Sequence, residues 1–247
     1  MAINWVETEI TEHIRWTDSL ASLKFKGNVL PYSAGQFTKI GLKINGELVS
    51  RPYSYVSSPE EDYLEIVYSS VPNGILTPEL HKLKAGDKLF AMDKASGFFV
   101  MDEVPDGKNL WMLATGTGLG VFISLLKTDA PWKRFKNIIL VHGVRTKNEL
   151  TYQDQIAKYE KLYPEKFNYI KTVTREKIDG CLNMRIPVAI ENNEFEKISG
   201  ISITKDSQFM ACGNPGMIND TVELLGKSGL ERNRRSKPGN ITLEKYW

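Results

Sequence analysis

At 247 residues the chain is long enough for two modest domains or one large one, and its 41% hydrophobic and 25% charged residues predict a folded chain with a real core. The 32 Lys and Arg against 30 Asp and Glu leave a net charge of +2, which makes no demand for nucleic acid. No apolar run reaches the length of a membrane span.

The N-terminal segment carries Glu7, Glu9 and Glu12 and lacks the apolar stretch of a signal peptide, so a reducing cytoplasm is expected. Short alternating strands follow at Leu20–Lys26, Phe37–Ile44 and Tyr63–Ser70, separated by turn signals that include Asn45-Gly46 and Ala85-Gly86-Asp87. Strands at this spacing predict an antiparallel barrel. One helix is expected to interrupt it, with Thr77 as N-cap, Pro78 at its first position and Leu80 and Leu83 on its apolar stripe. The period then changes. Compact apolar runs at Leu110–Ala114, Ile138–Val141, Tyr169–Val173 and Phe209–Cys212 alternate with helices expected over Leu119–Lys127, Glu149–Leu162, Val188–Asn192 and Met217–Gly226. This is the pattern of a parallel sheet covered on both faces. The expected division is 1–101, a β-barrel domain, and 102–247, an α/β domain.

Within this frame several segments carry chemistry. In Arg51-Pro52-Tyr53-Ser54, an arginine fork suits a pyrophosphate, a tyrosine ring suits an isoalloxazine face, and a serine hydroxyl suits the flavin N5. An ordinary turn into a strand is the plainer reading, since Pro52 sets φ in any case. Gly74-Ile75-Leu76-Thr77 could bring bare amides and a hydroxyl to a phosphate, or could simply start a helix. Thr115-Gly116-Thr117-Gly118-Leu119-Gly120 follows a strand and opens a helix, the context of a nucleotide loop, with its glycines read as permitting close approach and positive φ. The next strand ends in His142-Gly143-Val144-Arg145, where a site for NAD would want an acid on the ribose 2′-hydroxyl. Arg145, Arg175 and Arg185 instead suit a 2′-phosphate cage, or are solvated surface, and the expected coenzyme is NADPH.

Cys212-Gly213-Asn214-Pro215 closes the last apolar run at the ligand edge of such a sheet. Its thiol could touch a nicotinamide or be a buried small apolar group. Tyr246 and Trp247 suit stacking on a flat ligand, or packing in a groove. Lys227–Lys237 is a basic stretch suited to steering an acidic partner. Cys181 and Cys212 are too few for a disulfide scaffold. With the scattered His13, His81 and His142 they show no metal-ligand spacing, so no metal is expected.

In this order and at this spacing the motifs resemble the bacterial-type ferredoxin (flavodoxin)–NADP(+) reductases, from Trp5 to Trp247. The resemblance rests on the Arg-x-Tyr-Ser box, the Gly-x-x-Thr box, the Gly-Thr-Gly loop, the Cys-Gly-Asn-Pro box and the aromatic tail. It implies a six-stranded antiparallel barrel holding FAD, followed by an NADP(H) domain. It assigns Arg51, Pro52, Tyr53 and Ser54 to the flavin, and Gly74, Leu76 and Thr77 to its pyrophosphate. Gly116, Thr117 and Gly118 fall to the NADP pyrophosphate, and Arg145, Arg175 and Arg185 to the 2′-phosphate. Tyr246 stacks on the flavin, Trp247 covers the FAD adenine, and Ser54, Cys212, Glu244 and Tyr246 are the catalytic candidates. The implied activity is an oxidoreductase that moves hydride between NADPH and FAD and single electrons between FAD and ferredoxin or flavodoxin. The chain departs from many relatives in having Val121 rather than proline after the glycine loop, and Trp247 beyond the plant-type terminus. Rival readings are a free-flavin or oxygenase-linked reductase and a non-catalytic redox sensor. A monomer is expected, with no nucleic-acid or membrane partner.

Overall fold

The computed structural model describes residues 4–246. By packing, the chain divides into two units: residues 1–100 with Gly120–Thr128, and Met101–Leu119 with 129–247.

The first unit is a curled antiparallel sheet of six strands: β1 (Trp5–Arg15), β2 (Leu20–Lys26), β3 (Phe37–Ile44), β4 (Glu47–Ser54), β5 (Leu64–Ser69) and β6 (Lys88–Met92). Their order is β4-β3-β6-β1-β2-β5. Beyond the ends of β4, Tyr55 bridges Ile66 of β5 and the Val56 amide donates to the Glu65 carbonyl at 2.8 Å, which brings the two edges of the sheet together. Side chains two apart along the strands fill the interior: Ala21, Leu23 and Phe25; Ile40 and Leu42; Leu64, Ile66 and Tyr68; Leu89 and Ala91. Asn45 (φ 52°) and Gly46 (φ 86°) join β3 to β4 in a two-residue turn whose positive φ angles match the strand twist. Helix α1 (Thr77–Lys82) follows β5. Its N-cap is Leu76, not the expected Thr77. The Thr77 hydroxyl accepts the Val71 amide at 2.9 Å, a local bond that outcompetes capping.

Alternation alone does not mark β1, β4 and β6. Arg51–Ser54 is the last stretch of β4 rather than a turn. Pro52 is tolerated because β4 is an edge strand with only β3 as ladder partner.

The second unit is a parallel sheet of β7 (Asn109–Thr115), β8 (Asn137–Val144), β9 (Phe167–Val173), β10 (Ser207–Gly213) and β11 (Ile241–Lys245), in the order β11-β10-β7-β8-β9. Helix α2 (Leu119–Leu126) follows β7 and from Gly120 on packs in the first unit; the other connecting helices are α3 (Asp129–Arg134), α4 (Gln153–Leu162), α5 (Ile186–Glu191), α6 (Glu194–Ser199) and α7 (Pro215–Lys227). Trp111, Leu113, Ile139, Val141, Phe209 and Ala211 pack with residues of α5, α6 and α7. The alternate residues Leu110, Met112, Ala114, Ile138, Leu140 and His142 are also buried. Burial of both faces explains why these strands read as continuous apolar runs. The helix expected from Glu149 starts later, at Gln153. Lys147–Glu149 is a 3-10 turn, and Tyr152 takes a left-handed conformation (φ 57°).

Chain order runs outward from β7 through β8 to β9, then returns to the other side of β7 for β10. The reversal lies between β7 and β10, and in open α/β sheets ligands bind at the carboxyl ends of strands at such a reversal.

Candidate cofactor sites

In the first unit, alternation along β4 puts Arg51 and Tyr53 on one face, opposite Ile40 and Thr38 of β3. Arg51 is exposed, with Nη1 donating to the Ser50 carbonyl at 2.7 Å. Tyr53 is half-buried. Burial pushes its phenol up to about 12, against the pull of Arg51, so the ring is neutral. It meets Tyr68 edge to face, with centroids 6.5 Å apart. The Tyr68 hydroxyl lies 3.2 Å from His13 Nε2 and 3.5 Å from His81 Nδ1. His13 Nδ1 is 2.7 Å from the Leu83 carbonyl, which can only accept, so in the neutral ring Nδ1 carries the proton and Nε2 accepts from Tyr68. Arg15 braces the same corner by donating to the His81 carbonyl at 2.7 Å. A buried tyrosine gripped from β1 and α1 thus backs the candidate stacking ring. No motif marked Tyr68, His13 or His81, which come together only when β1, β5 and α1 pack.

Ser54 is buried at the end of β4. Gly74 and Thr77 form a compact turn: the Gly74 amide donates to the Val71 carbonyl at 2.8 Å, and the Val71 amide donates to the Thr77 hydroxyl. A Cβ on Gly74 would sit 3.1 Å from both the Thr77 hydroxyl and the Val71 carbonyl, so glycine keeps this turn tight. Among the described residues the Thr77 hydroxyl accepts the one bond from the Val71 amide and donates none. Leu76 between them is buried.

In the second unit, the strand–turn–helix expected at Thr115–Gly120 forms, with Gly116–Gly118 as a 3-10 turn between β7 and α2. The three glycines serve different ends. Only Gly116 has a positive φ (54°), and a Cβ there would meet nothing within 4 Å. Gly118 is needed for close packing, since a Cβ would lie 2.6 Å from the Cys212 carbonyl. Gly120, which packs within the first unit, would press a Cβ to 2.6 Å from Val67. Of the two uses expected of these glycines, positive φ falls to Gly116 and close approach to Gly118 and Gly120. Thr117 is buried within the turn.

Under this turn lies His142 of β8, fully buried, with Nε2 3.3 Å from the Gly116 carbonyl and Nδ1 3.4 Å from the Tyr169 hydroxyl. Gln153 donates to that hydroxyl at 2.8 Å. Burial lowers the imidazole to about 4 despite the Gly116 bond, so His142 is neutral.

At the other strand of the reversal, Gly213 (φ 128°) leaves no room for a Cβ beside the Thr115 hydroxyl, which accepts the Asn214 amide at 2.8 Å. Asn214 caps α7 by accepting the Met217 amide at 3.1 Å, with Pro215 following. Cys212 pairs in register with Glu244 of β11, and the Tyr246 amide donates to the Gly213 carbonyl at 3.0 Å. Three of the catalytic candidates therefore come together. The Cys212 thiol is fully buried. Burial pushes it well up and the Glu244 carboxylate adds to this, against a hydrogen bond with Tyr246, so it is a neutral thiol and not a thiolate. Ser54 belongs to the first unit. Trp247 lies outside the described residues.

Arg145, Arg175 and Arg185 follow β8, follow β9 and precede α5, and all three are exposed. The Arg175 amide donates to the Arg145 carbonyl at 2.9 Å, carrying the β8–β9 ladder past the strand ends. Among the described residues, the arginines paired with carboxylates are Arg134 and Arg235. None of the three cage candidates has such a pair. In the basic stretch, Lys227 pairs with Glu223, Arg235 with Glu103 and Lys237 with Glu231, leaving Arg232 and Arg234 without a carboxylate among the described residues.

The oxidoreductase FAD-binding domain family matches residues 7–93, and the oxidoreductase NAD-binding domain family matches 112–223. The flavodoxin/ferredoxin–NADP reductases of Shigella flexneri and Escherichia coli are 45% and 44% identical to this chain, each over 246 residues and 99% of both chains. The ferredoxin–NADP reductase of Azotobacter vinelandii is 36% identical over 97% of this chain and 96% of its own. A ferredoxin NADP+ reductase from Neisseria gonorrhoeae, solved with bound FAD and NADP, superposes with a TM-score of 0.94 at 30% identity over the whole of both chains. A barrel built for a flavin, a parallel sheet built for a nucleotide and full-length kinship agree: the chain belongs to the flavodoxin/ferredoxin–NADP reductase family.

Proposed function

We propose that this chain is a flavoenzyme that transfers hydride between NADPH and FAD and single electrons between FAD and ferredoxin or flavodoxin. The observation that carries the coenzyme assignment is the open glycine turn at the strand reversal, with three arginines on the adjoining loops that lack carboxylate partners among the described residues. The flavin supplies the chemistry, taking two electrons with a hydride and passing them on one at a time.

The residues fit that group. Arg51 supplies a guanidinium fork for pyrophosphate, Tyr53 a neutral ring for stacking, Ser54 a hydroxyl for N5, and Gly74, Leu76 and Thr77 a tight turn with a hydroxyl donor. On the nucleotide side, Gly116 leaves open space for a pyrophosphate and Thr117 and Gly118 complete the turn. The three arginines receive the 2′-phosphate. Cys212 offers a neutral thiol, Glu244 a carboxylate and Tyr246 a ring tethered through its own amide. Hydride transfer needs alignment more than acid–base chemistry, which suits the buried Ser54 hydroxyl and the buried, neutral Cys212 thiol.

No helix among the described residues is long and apolar enough to cross a membrane. A cytoplasmic monomer acting on an acidic carrier, with no nucleic-acid partner, completes the proposal. Arg232 and Arg234 are the cations of the basic stretch available to steer that carrier, giving a rate that falls with salt. The test is an anaerobic titration of the purified protein, followed by visible absorption. Flavin bands bleached by NADPH at far lower concentration than NADH are expected. A protein that cannot be reconstituted with FAD, or equal bleaching by both coenzymes, refutes the reading.

A further inference from the structure

The loops that carry the arginines crowd cations together: Arg145, Lys147, Arg175, Lys177 and Arg185 all lie between β8 and α5. Like charges push such loops apart, and nearby carboxylates would ordinarily pair with the guanidinium groups. Here they engage backbone amides and a hydroxyl instead. Glu149 Oε2 accepts the Arg145 amide at 3.1 Å, and Oε1 accepts the Thr146 hydroxyl at 3.4 Å. Glu176 Oε2 accepts the Lys147 amide at 3.0 Å, which ties the loop after β9 to the loop after β8. Asn183 Nδ2 donates to the carbonyls of Val173 and Glu176, both at 2.8 Å, and folds the segment before Arg185 against the end of β9. The Val173 amide donates to the Leu182 carbonyl at 2.8 Å, reinforcing the same return.

We propose that Glu149, Glu176 and Asn183 are positioning residues for coenzyme choice, holding the backbone from which Arg145, Arg175 and Arg185 reach a 2′-phosphate. This rests on the reading of those three arginines as the 2′-phosphate site. The two carboxylates act through geometry against their own charge. Charge alone makes an acid beside a phosphate unfavourable, so its removal would strengthen phosphate binding. Loss of the loop anchor weakens binding. The two roles predict opposite signs.

The test is calorimetric binding of 2′-phospho-AMP and of 5′-AMP to the flavin-loaded protein, with thermal melts of each variant as a folding check. Glu149→Ala, Glu176→Ala and Asn183→Ala are each expected to weaken 2′-phospho-AMP about fivefold while leaving 5′-AMP within about twofold. Glu149→Gln, which keeps an acceptor for the Arg145 amide and discards the charge, is expected to bind 2′-phospho-AMP at least as tightly as the unaltered protein. Tighter binding by the alanine variants, or equal loss of both nucleotides, overturns the proposal. Arg175→Ala separates the two layers. If it leaves the preference for 2′-phospho-AMP intact, the arginine reading itself is wrong and the proposal falls with it. If it abolishes that preference while the three alanine variants keep theirs, the positioning proposal alone fails.

Discussion

The two units build their sites in opposite ways. In the antiparallel unit, Arg51, Pro52, Tyr53 and Ser54 are consecutive on one edge strand, so one stretch of chain presents a clamp, a ring and a hydroxyl. In the parallel unit, the corresponding groups come from the carboxyl ends of β7, β8, β9 and β10, with Thr115 and Gly213 at the extremes in sequence. An antiparallel strand offers its flank, whereas a parallel sheet offers its rim, because its crossovers all deliver their loops to the same edge. A flank site is compact in sequence and vulnerable at single positions. A rim site is dispersed and depends on what fixes the loops to one another.

That contrast can be broken experimentally. Arg51→Ala is expected to weaken FAD retention about a hundredfold, the upper range for loss of a charge-assisted phosphate contact. It should leave 2′-phospho-AMP binding unaltered, and flavin fluorescence on reconstitution reads the first while calorimetry reads the second. Equal damage to both would show that the two sites are not separable. The next effect belongs to His142, held at about 4 by burial beneath the glycine turn. Between its ordinary value near 6.5 and that value, the unfolded chain binds a proton that the folded chain refuses. Its contribution to stability is complete above about pH 6.5 and drains away as pH falls toward 4. Denaturant unfolding should therefore lose about 2 kcal/mol more between pH 7 and pH 5 in the unaltered protein than in His142→Gln. Parallel pH profiles would mean that the ring is not buried neutral. The smallest effect is a control. Gly46→Ala at φ 86° meets no neighbour, so strain alone should cost about 1 kcal/mol, a melting shift of about 2–4 °C, with both ligands bound as before.

The same contrast explains what could be read before any fold was known. The Arg51–Ser54 box was legible because a flank site is contiguous, and the change of period from alternating strands to compact runs marked the two architectures. Gly116–Gly118 was legible as a turn between strand and helix. Its chemistry was not, because which glycine needs positive φ and which needs bare Cα depends on Cys212 and Val67, far away in sequence. Strand β4 blurred because it is an edge strand holding a proline, β1 because its register shifts between Ile10 and Glu12, and β6 because it has only five residues. Tyr68, His13, His81 and His142 were invisible as site supports, since each acts through tertiary packing rather than through a motif. Glu149, Glu176 and Asn183 carried no signal in the sequence, because single side-chain bonds to backbone amides and carbonyls leave no spacing pattern.

The interlock between Thr115, Gly118 and Gly213 has a consequence for descent. Each glycine faces backbone or hydroxyl atoms of the other strand, so neither can acquire a side chain while its counterpart stays put. No single replacement at either glycine is an easy step, and the core of the nucleotide turn is held nearly still over evolutionary time. The arginine loops, exposed and anchored by a few replaceable polar side chains, can drift. Lineages that change coenzyme should accumulate their differences there, and a mutant library aimed at switching NADPH for NADH should be diversified in residues 145–149 and 174–185 rather than in the glycine turn.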